Sequence, residues 1–444
     1  MGRFSEQFIE QVAQATDIVD LVSGYVALKQ KGREFVGLCP FHDDRNPSMY
    51  VSPSKQLFKC FVCGAGGGVY QWLMMYDKLP FPEAVEMLAE RAGIPVPREK
   101  RQQAQAAPSG MRRADLLRVN TWAAKWFGQQ LHKPAGKQAL EYVRGRGLDD
   151  AALERFGVGY APESFDALRT AARRAGINND ALLATGLIGE GSRGPYDRFR
   201  HRLMLPICDA QDRVIAFGGR ALRSEERAKY LNSPESSLFD KSSNLYGLNW
   251  ARQGIVQSGQ AIVAEGYFDA LIPLHMGVEN VVATLGTALT DRHITLLARY
   301  AREVVLLFDA DEAGSRAAQR ALEMFLTQRF QVRVANVPAG KDPADYCLLE
   351  GPEAMRRVIE QAPDALSYMW SLCQQRLTDA GGNLADRRAV VDEFLRLVAE
   401  SAAYGAIDEV RRSNVAQHIG HLLNIPPEEL QRQMRRLARK SRAR

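Results

Sequence analysis

Residues 261–269 read Ala-Ile-Val-Ala-Glu-Gly-Tyr-Phe-Asp, and residues 304–314 read Val-Val-Leu-Leu-Phe-Asp-Ala-Asp-Glu-Ala-Gly. Each stretch is a short apolar run closed by a carboxylate and followed by a helical pattern. Similar runs stand at Val281–Ala283 and Val332–Val337. Apolar runs alternating with helices predict a parallel α/β sheet. Ligands of an open parallel sheet gather at the carboxyl ends of its strands, so Glu265, Asp269, Asp309 and Asp311 are expected around one pocket. A third acidic cluster, Asp342 and Asp345, follows the last run. Hard carboxylate oxygens suit Mg²⁺ or Mn²⁺, which complete their shells with water and substrate phosphates. For Asp269 and Glu312 a helix-capping role stays open beside the metal-binding one.

Upstream of the acids, residues 193–241 are rich in bases and interleaved with Phe199, Phe217 and Tyr230. Arg198, Arg200 and Arg202 alternate, which on a strand puts them on one face. Such a row can track a phosphate backbone or hold a triphosphate, because each guanidinium binds phosphate oxygens bidentately. Short strands are expected around Leu203–Ile207 and Val214–Phe217, with helical patterning before them. Beyond about residue 353 the pattern is almost wholly helical and ends in a basic tail.

The other informative region is N-terminal. Cys39-Pro-Phe-His42 and Cys60-Phe-Val-Cys63 are two short hooks separated by seventeen residues. Three thiolates and one imidazole at this spacing form a closed tetrahedral shell for one structural Zn²⁺. Helices are expected before it, with Thr16 or Asp17 as an N-cap, and after it at 69–76 and 81–92. Exposed aromatics beside cations would suit single-stranded nucleic acid, but Phe41, Phe58 and Phe61 are read equally well as the core of the zinc module. Gly64-Ala-Gly-Gly-Gly68 is no phosphate loop, because the lysine and hydroxyl residue that should come after it are missing. His418 and His421 lack a third ligand and are expected at the surface.

Around residues 97–110 the composition turns charged and small, which predicts an exposed linker. The expected organisation is a zinc-binding domain at 1–100, a linker at 101–115, a basic subdomain at 116–255, a catalytic subdomain at 256–350 and a helical subdomain at 351–444. The fold class is therefore α+β multidomain: a small zinc-ribbon-like domain, then an α/β domain ending in a helical bundle. The net charge of +6 over 444 residues permits a polyanionic partner without demanding one. No apolar run reaches the roughly 18 residues of a membrane span, and the polar start lacks a signal-peptide core. A cytoplasmic protein with no membrane partner is expected.

These motifs resemble those of the bacterial replicative primases of the DnaG type. Both cysteine hooks resemble that family's zinc-binding domain. Tyr142-Val-Arg-Gly-Arg-Gly147-Leu148, Asp197-Arg-Phe-Arg200, Phe217-Gly-Gly-Arg220 and Lys229-Tyr-Leu-Asn232-Ser-Pro234 resemble its polymerase-domain motifs. Glu265-Gly266 with Asp309-x-Asp311 resembles the Toprim fold shared with topoisomerases. The likeness covers nearly the whole chain. It implies a nucleotidyltransferase that makes short RNA primers on single-stranded DNA, with Glu265, Asp309 and Asp311 catalytic. It places two or more Mg²⁺ or Mn²⁺ ions on Glu265, Asp269, Asp309, Asp311 and Asp342. Many relatives carry Asp-Pro-Asp where this chain has Asp342-Pro-Ala344-Asp345, so Asp345 is the expected substitute ligand.

By the same likeness Arg198, Arg200, Arg202, Arg220, Lys229, Tyr230, Asn232 and Lys241 bind nucleotide or template. The implied partners are ribonucleoside triphosphates, single-stranded DNA and the replicative helicase, with single-stranded DNA-binding protein as a further candidate and the nucleoid as the place of work. The helicase-binding helical domain with which the family usually continues is expected to be missing. Two rival readings remain: a Toprim nuclease or topoisomerase, and a non-catalytic zinc-dependent protein that binds DNA or recruits helicase. No tyrosine is singled out as a topoisomerase nucleophile, and the non-catalytic reading leaves the strand-end acids unexplained.

Overall fold

Ser5 and Asp17 each accept hydrogen bonds from backbone N–H groups of the next turn, and so start α1 (Glu6–Gln14) and α2 (Ile18–Ser23). The computed structural model describes residues 4–96, 111–308, 324, 331–338, 341–379, 384–400, 409–423 and 425–442, without 43, 45, 78, 80, 224 and 227. Antiparallel β1 (Lys29–Lys31), β2 (Glu34–Gly37), β3 (Met49–Ser52), β4 (Leu57–Cys60) and β5 (Gly66–Gly67) form one five-stranded sheet in sequence order. Next come α3 (Val69–Tyr76) and α4 (Phe81–Arg91). Trp72 of α3 is wholly buried and meets Phe58 edge-on, with ring centroids 4.9 Å apart. Emptying a site of that size costs about 3–5 kcal/mol.

α5 (Arg113–Leu131) begins inside the segment read as linker, because Arg112 is already extended and its guanidinium pairs with Asp115 at 2.9 Å. The rest of the expected linker lies outside the described residues. α6 (Lys137–Gly145), α7 (Asp150–Phe156), α8 (Ala167–Arg174) and α9 (Asn179–Ala184) frame a second antiparallel sheet. It is built from β6 (Gly159–Ala161), β9 (Arg202–Cys208), β10 (Val214–Ala221) and β11 (Tyr230–Asn232), in the order β11-β10-β9-β6. β7 (Ile188–Gly191) and β8 (Gly194–Asp197) form a separate hairpin. The β9–β10 pair matches the two short strands expected from sequence.

Everything to Asp240 forms one compact unit, and Lys241–Arg444 forms another. Within the first, the zinc module packs on the turn between β9 and β10 through a buried polar cluster. The Arg213 guanidinium donates to Asp209 at 2.6 Å and to Asp77 at 3.2 Å, and the Tyr25 hydroxyl donates to Asp77 at 2.9 Å. Burial works against the Arg213 charge, but Asp209 and Asp77 outweigh it and push its pKa up; burial and Asp77 likewise raise Tyr25. Gln211 adds a bond to the Gly24 carbonyl at 3.3 Å. The exposed-linker reading does not reveal this attachment, which pairs residues more than a hundred positions apart.

The second unit opens with α10 (Leu248–Ser258), which runs across the subdomain boundary expected at 255. β12 (Gln260–Ala264), β13 (Val281–Ala283), β14 (Glu303–Phe308) and β15 (Gln331–Asn336) form the parallel sheet, in the order β13-β12-β14-β15. α11 (Tyr267–His275) and α12 (Asp291–Leu297) connect its strands, and further helices run from Pro343 to Arg442. β12 pairs with β13 on one side and with β14 on the other, so successive crossovers diverge there. Such a switch point is where open parallel sheets bind ligands. No described helix is long and apolar enough to cross a membrane.

Candidate functional site

The first site is built by the ends of two strands. Cys39 comes just after β2, Cys60 closes β4, and Cys63 sits in the turn before β5, where the Cys60 N–H is bonded to the Ala65 carbonyl at 2.7 Å. Donor atoms of Cys39, His42, Cys60 and Cys63 all lie within 4.8 Å of one another. Cys39 Sγ is 3.7 Å from Cys63 Sγ, and Cys60 Sγ is 3.9 Å from His42 Nδ1. Tetrahedral zinc with bonds of about 2.3 Å to sulfur and about 2.0 Å to nitrogen separates its ligands by about 3.5–3.8 Å. The donor set fits that ion.

Asp44 supports the donors from behind. Its carboxylate accepts from the Cys39 N–H and the Ser48 hydroxyl, both at 2.7 Å, and lies 3.6 Å from His42 Nε2. A carboxylate behind a ligating imidazole fixes the ring for the metal. Burial opposes ionisation of Cys60, yet the Ser48 hydroxyl and the N–H groups of Cys63 and Val62 bring its thiol down to about 6. Burial and the neighbouring thiols push Cys39 up. A bound dication resolves this conflict by stabilising all three thiolates together. Phe58 and Phe41 belong to the core beneath the site, whereas Phe61 is 73% exposed between the last two cysteines.

The second candidate lies in the same unit. Arg220 pairs in register with Tyr230 across β10 and β11, and its Nη1 donates to the Tyr230 hydroxyl at 2.6 Å. Its guanidinium carbon is 5.3 Å from the Tyr230 ring centre and 4.9 Å from that of Tyr142, and Arg146 adds a second cation 5.9 Å from Tyr142. Lys229 is exposed and Asn232 half-buried beside them. The Tyr142–Leu148 motif is legible in the sequence, but nothing there assigns Tyr142 or Arg146 to the site; only the fold brings them to Arg220.

Arg198, Arg200 and Arg202 do not share a strand face. β8 ends at Asp197, β9 starts at Arg202, and His201 between them has φ +50°, which breaks the alternation. Arg202 is buried, and its guanidinium donates to the Gly219 and Ala228 carbonyls at 3.1 Å and to Glu226 at 3.0 Å. A Cβ on Gly219 would stand 2.8 Å from the Phe199 ring and 3.1 Å from Arg202, so this glycine makes room for both side chains.

The acids belong to the other unit. Glu265 is exposed at the end of β12, and Gly266 is the N-cap of α11. Asp269 turns its carboxylate back: Oδ1 accepts from the Ala344 N–H at 3.3 Å, and a Cβ on Gly266 would stand 2.4 Å from Oδ2. Asp342 caps the Pro343–Glu350 helix by accepting from the Asp345 N–H at 2.7 Å. Ala344 is fully buried. Asp309 and Asp311 lie outside the described residues. Among the described residues only the cysteine and histidine group brings three or more potential ligands together. Lys241 is placed through its backbone: its carbonyl lies 2.8 Å from Nε2 of the buried His293, at the start of α12.

Three family models match the chain in succession: a CHC2 zinc finger at residues 4–104, the N-terminal domain of the DNA primase catalytic core at 126–252, and a Toprim-like domain at 262–347. A DNA primase of Synechococcus elongatus is 41% identical over 410 residues, which cover 90% of this chain and 58% of that protein. The zinc-binding and RNA polymerase domains of the Aquifex aeolicus primase are 33% identical, with a TM-score of 0.62, over 95% of this chain and 98% of that one. A DnaG primase catalytic domain bound to single-stranded DNA is 32% identical, with a TM-score of 0.60, over 71% of this chain and 98% of that one.

Proposed function

Because this chain belongs to the bacterial DnaG-type DNA primase family, we propose that it makes short RNA primers on single-stranded DNA by metal-assisted nucleotidyl transfer. The observation that carries the reading is the succession of zinc finger, primase core and Toprim domain along one chain. The chain spans 58% of the length of the Synechococcus relative, so attachment to a replicative helicase and residence at the nucleoid belong to the proposal as well.

Glu265, Asp309, Asp311 and Asp342 would hold Mg²⁺ or Mn²⁺, with Asp269 and Asp345 beside them. A divalent ion bound there supplies charge neutralisation at the triphosphate during transfer. Arg220, Lys229 and Lys241 draw triphosphate and template by charge, with Arg198 and Arg200 adding to the field. Tyr230 and Asn232 hold the geometry around Arg220, and buried Arg202 acts from within by holding Glu226 and the Ala228 carbonyl. The zinc module presents Phe61 and its lysines to template bases and phosphates. This division of labour corresponds to the expected domains at 1–100, 116–255, 256–350 and 351–444, with the boundary at 255 moved ahead of α10.

The test supplies single-stranded template, Mg²⁺ and labelled ribonucleotides. Short RNA products are expected, and Asp309→Ala is expected to abolish them while DNA binding persists. Undiminished synthesis by that variant would sink the assignment. Strand cleavage in place of synthesis would favour a Toprim nuclease.

A further inference from the structure

Phe165 is 68% exposed, in the segment that joins β6 to α8. Its backbone is rigidly mounted, with the carbonyl accepting from the Asp197 N–H at 2.7 Å. The buried Asp197 carboxylate accepts in turn from the Leu168 and Arg169 N–H groups at 2.7 and 3.2 Å, tying the hairpin end to the first turn of α8. Arg200 lies against this aromatic, its guanidinium carbon 4.6 Å from the Phe165 ring centre and 5.4 Å from that of Tyr196. Gly189 and Gly191 clear the hairpin face for the Tyr196 ring, since a Cβ on either would stand 2.9 or 3.3 Å from it.

Of the Arg200 N–H groups, only Nη1 has a hydrogen-bond partner among the described residues, the Asp197 carbonyl at 2.6 Å. No carboxylate pairs with it there. The nearby Glu163 is already taken by Arg223, through bonds of 2.8 and 2.7 Å. Arg169, Arg173, Arg174 and Arg193 likewise form no ion pair among the described residues.

We propose that Phe165, Arg200 and Tyr196 form a second stacking platform for single-stranded nucleic acid, Phe165 taking an unpaired base and Arg200 the adjoining phosphate. The inference rests on the template-binding reading and extends it. An exposed ring beside a cation with free donors matches the two faces of a nucleotide, whereas an acidic peptide would leave the ring unused. Placement supports the same occupant. Tyr160 pairs with Leu203, Leu203 with Arg220, and Arg220 with Tyr230, so one row of residues crosses the sheet from the strand that leads into the platform to the Arg220–Tyr230 pair. That width is about 14 Å, three strand spacings. A stacked strand rising roughly 3.4 Å per nucleotide covers it in about four nucleotides.

The experiment measures binding of labelled oligothymidylates of about 4 and about 16 nucleotides by fluorescence anisotropy, with the full chain over a series of salt concentrations. Phe165→Ala should weaken binding of the longer strand roughly 5- to 100-fold, affect the shorter one little, and keep the salt slope. Phe165→Trp should restore binding, and Arg200→Met should lower the salt slope by about one. The exposed ring makes a folding defect unexpected, and an unchanged circular dichroism melt verifies that. Equal affinity of wild type and Phe165→Ala for the longer strand overturns the platform while leaving template binding intact. Polyglutamate displacing the strand from wild type but not from Phe165→Ala overturns it in favour of an acidic protein partner. Failure of the wild type to bind either strand overturns the template reading and the platform with it.

Discussion

The zinc centre and the acidic end of the parallel sheet are both ligand-rich, yet they are organised in opposite ways. In the zinc module every donor atom lies within 4.8 Å of the others, and a supporting carboxylate holds the imidazole and the Cys39 backbone. In the second unit Asp269 accepts from the Ala344 N–H and Asp342 from the Asp345 N–H. A structural site must close on its ion with protein atoms alone, since its binding energy is folding energy. A site for hard ions that arrive with a triphosphate keeps its carboxylates separate and relies on phosphate oxygens to complete the shell. Convergence therefore marks the zinc site that holds the fold, and the separate carboxylates of Asp269 and Asp342 leave room for the proposed Mg²⁺ or Mn²⁺.

Four measurements can break or sharpen this contrast. The largest effect is expected from stripping zinc, by chelation or by Cys60→Ala, because structural zinc contributes on the order of 10 kcal/mol to small metal-dependent folds. The near-ultraviolet dichroism of Trp72 and exchange protection over residues 34–60 should collapse, while the unit from Lys241 onward keeps its protection. An unchanged Trp72 signal would mean that the aromatic core, not the metal, holds the module.

The second measurement asks how firmly the closed module is attached. Arg213→Met leaves Asp77 and Asp209 buried beside one another without their cation, and removing one partner of such a cluster costs about 3–5 kcal/mol. Urea denaturation of the 1–240 unit should register that loss; a change below about 1 kcal/mol would mean that the cluster is dispensable.

The third separates capping from metal binding at Asp342. Alanine should cost about 1 kcal/mol through loss of the cap, whereas asparagine, an equally good cap, should cost only a few tenths. Both should depress primer synthesis if Asp342 is also a ligand. Full synthesis by Asp342→Asn would reduce the residue to a cap.

The smallest effect concerns pH. Burial tends to raise Asp115, but the guanidinium groups of Arg112 and Arg118 outweigh it and hold its carboxyl below the ordinary 3.8. A depressed carboxyl contributes stability that is complete above about pH 4 and fades as pH falls through the folded value. The side chain is about a third exposed, so screening limits the effect to under about 1 kcal/mol. Melting temperatures of wild type and Asp115→Asn should differ at pH 6 and draw together as pH falls below the ordinary 3.8; a gap that does not narrow there would count against the ion pair.

Much of this protein was legible in the residues. Short apolar runs marked β9, β10 and the four parallel strands, because such runs are local properties of a strand. Asp17 announced its helix, since a cap acts on N–H groups two or three residues away. The cysteine spacing announced zinc because each hook places two ligands close enough to share one coordination sphere. Arg198, Arg200 and Arg202 misled for a complementary reason: a period of two has meaning only inside a strand, and positive φ at His201 interrupts it.

What the chain alone determined is thus its short-range chemistry: where zinc binds, which strands end in acids and which segments are basic. Tertiary structure decided which of those groups are free to act. It spent Arg202 on internal carbonyls, bent Asp269 back to a helix end, set Tyr142 against Arg220, and buried Arg213 between acids from opposite ends of the first unit. The physical reason is that a guanidinium or carboxylate has the same local signature whether it is solvated, paired or buried. Its role depends on partners tens to hundreds of residues away, which only packing brings within hydrogen-bond reach.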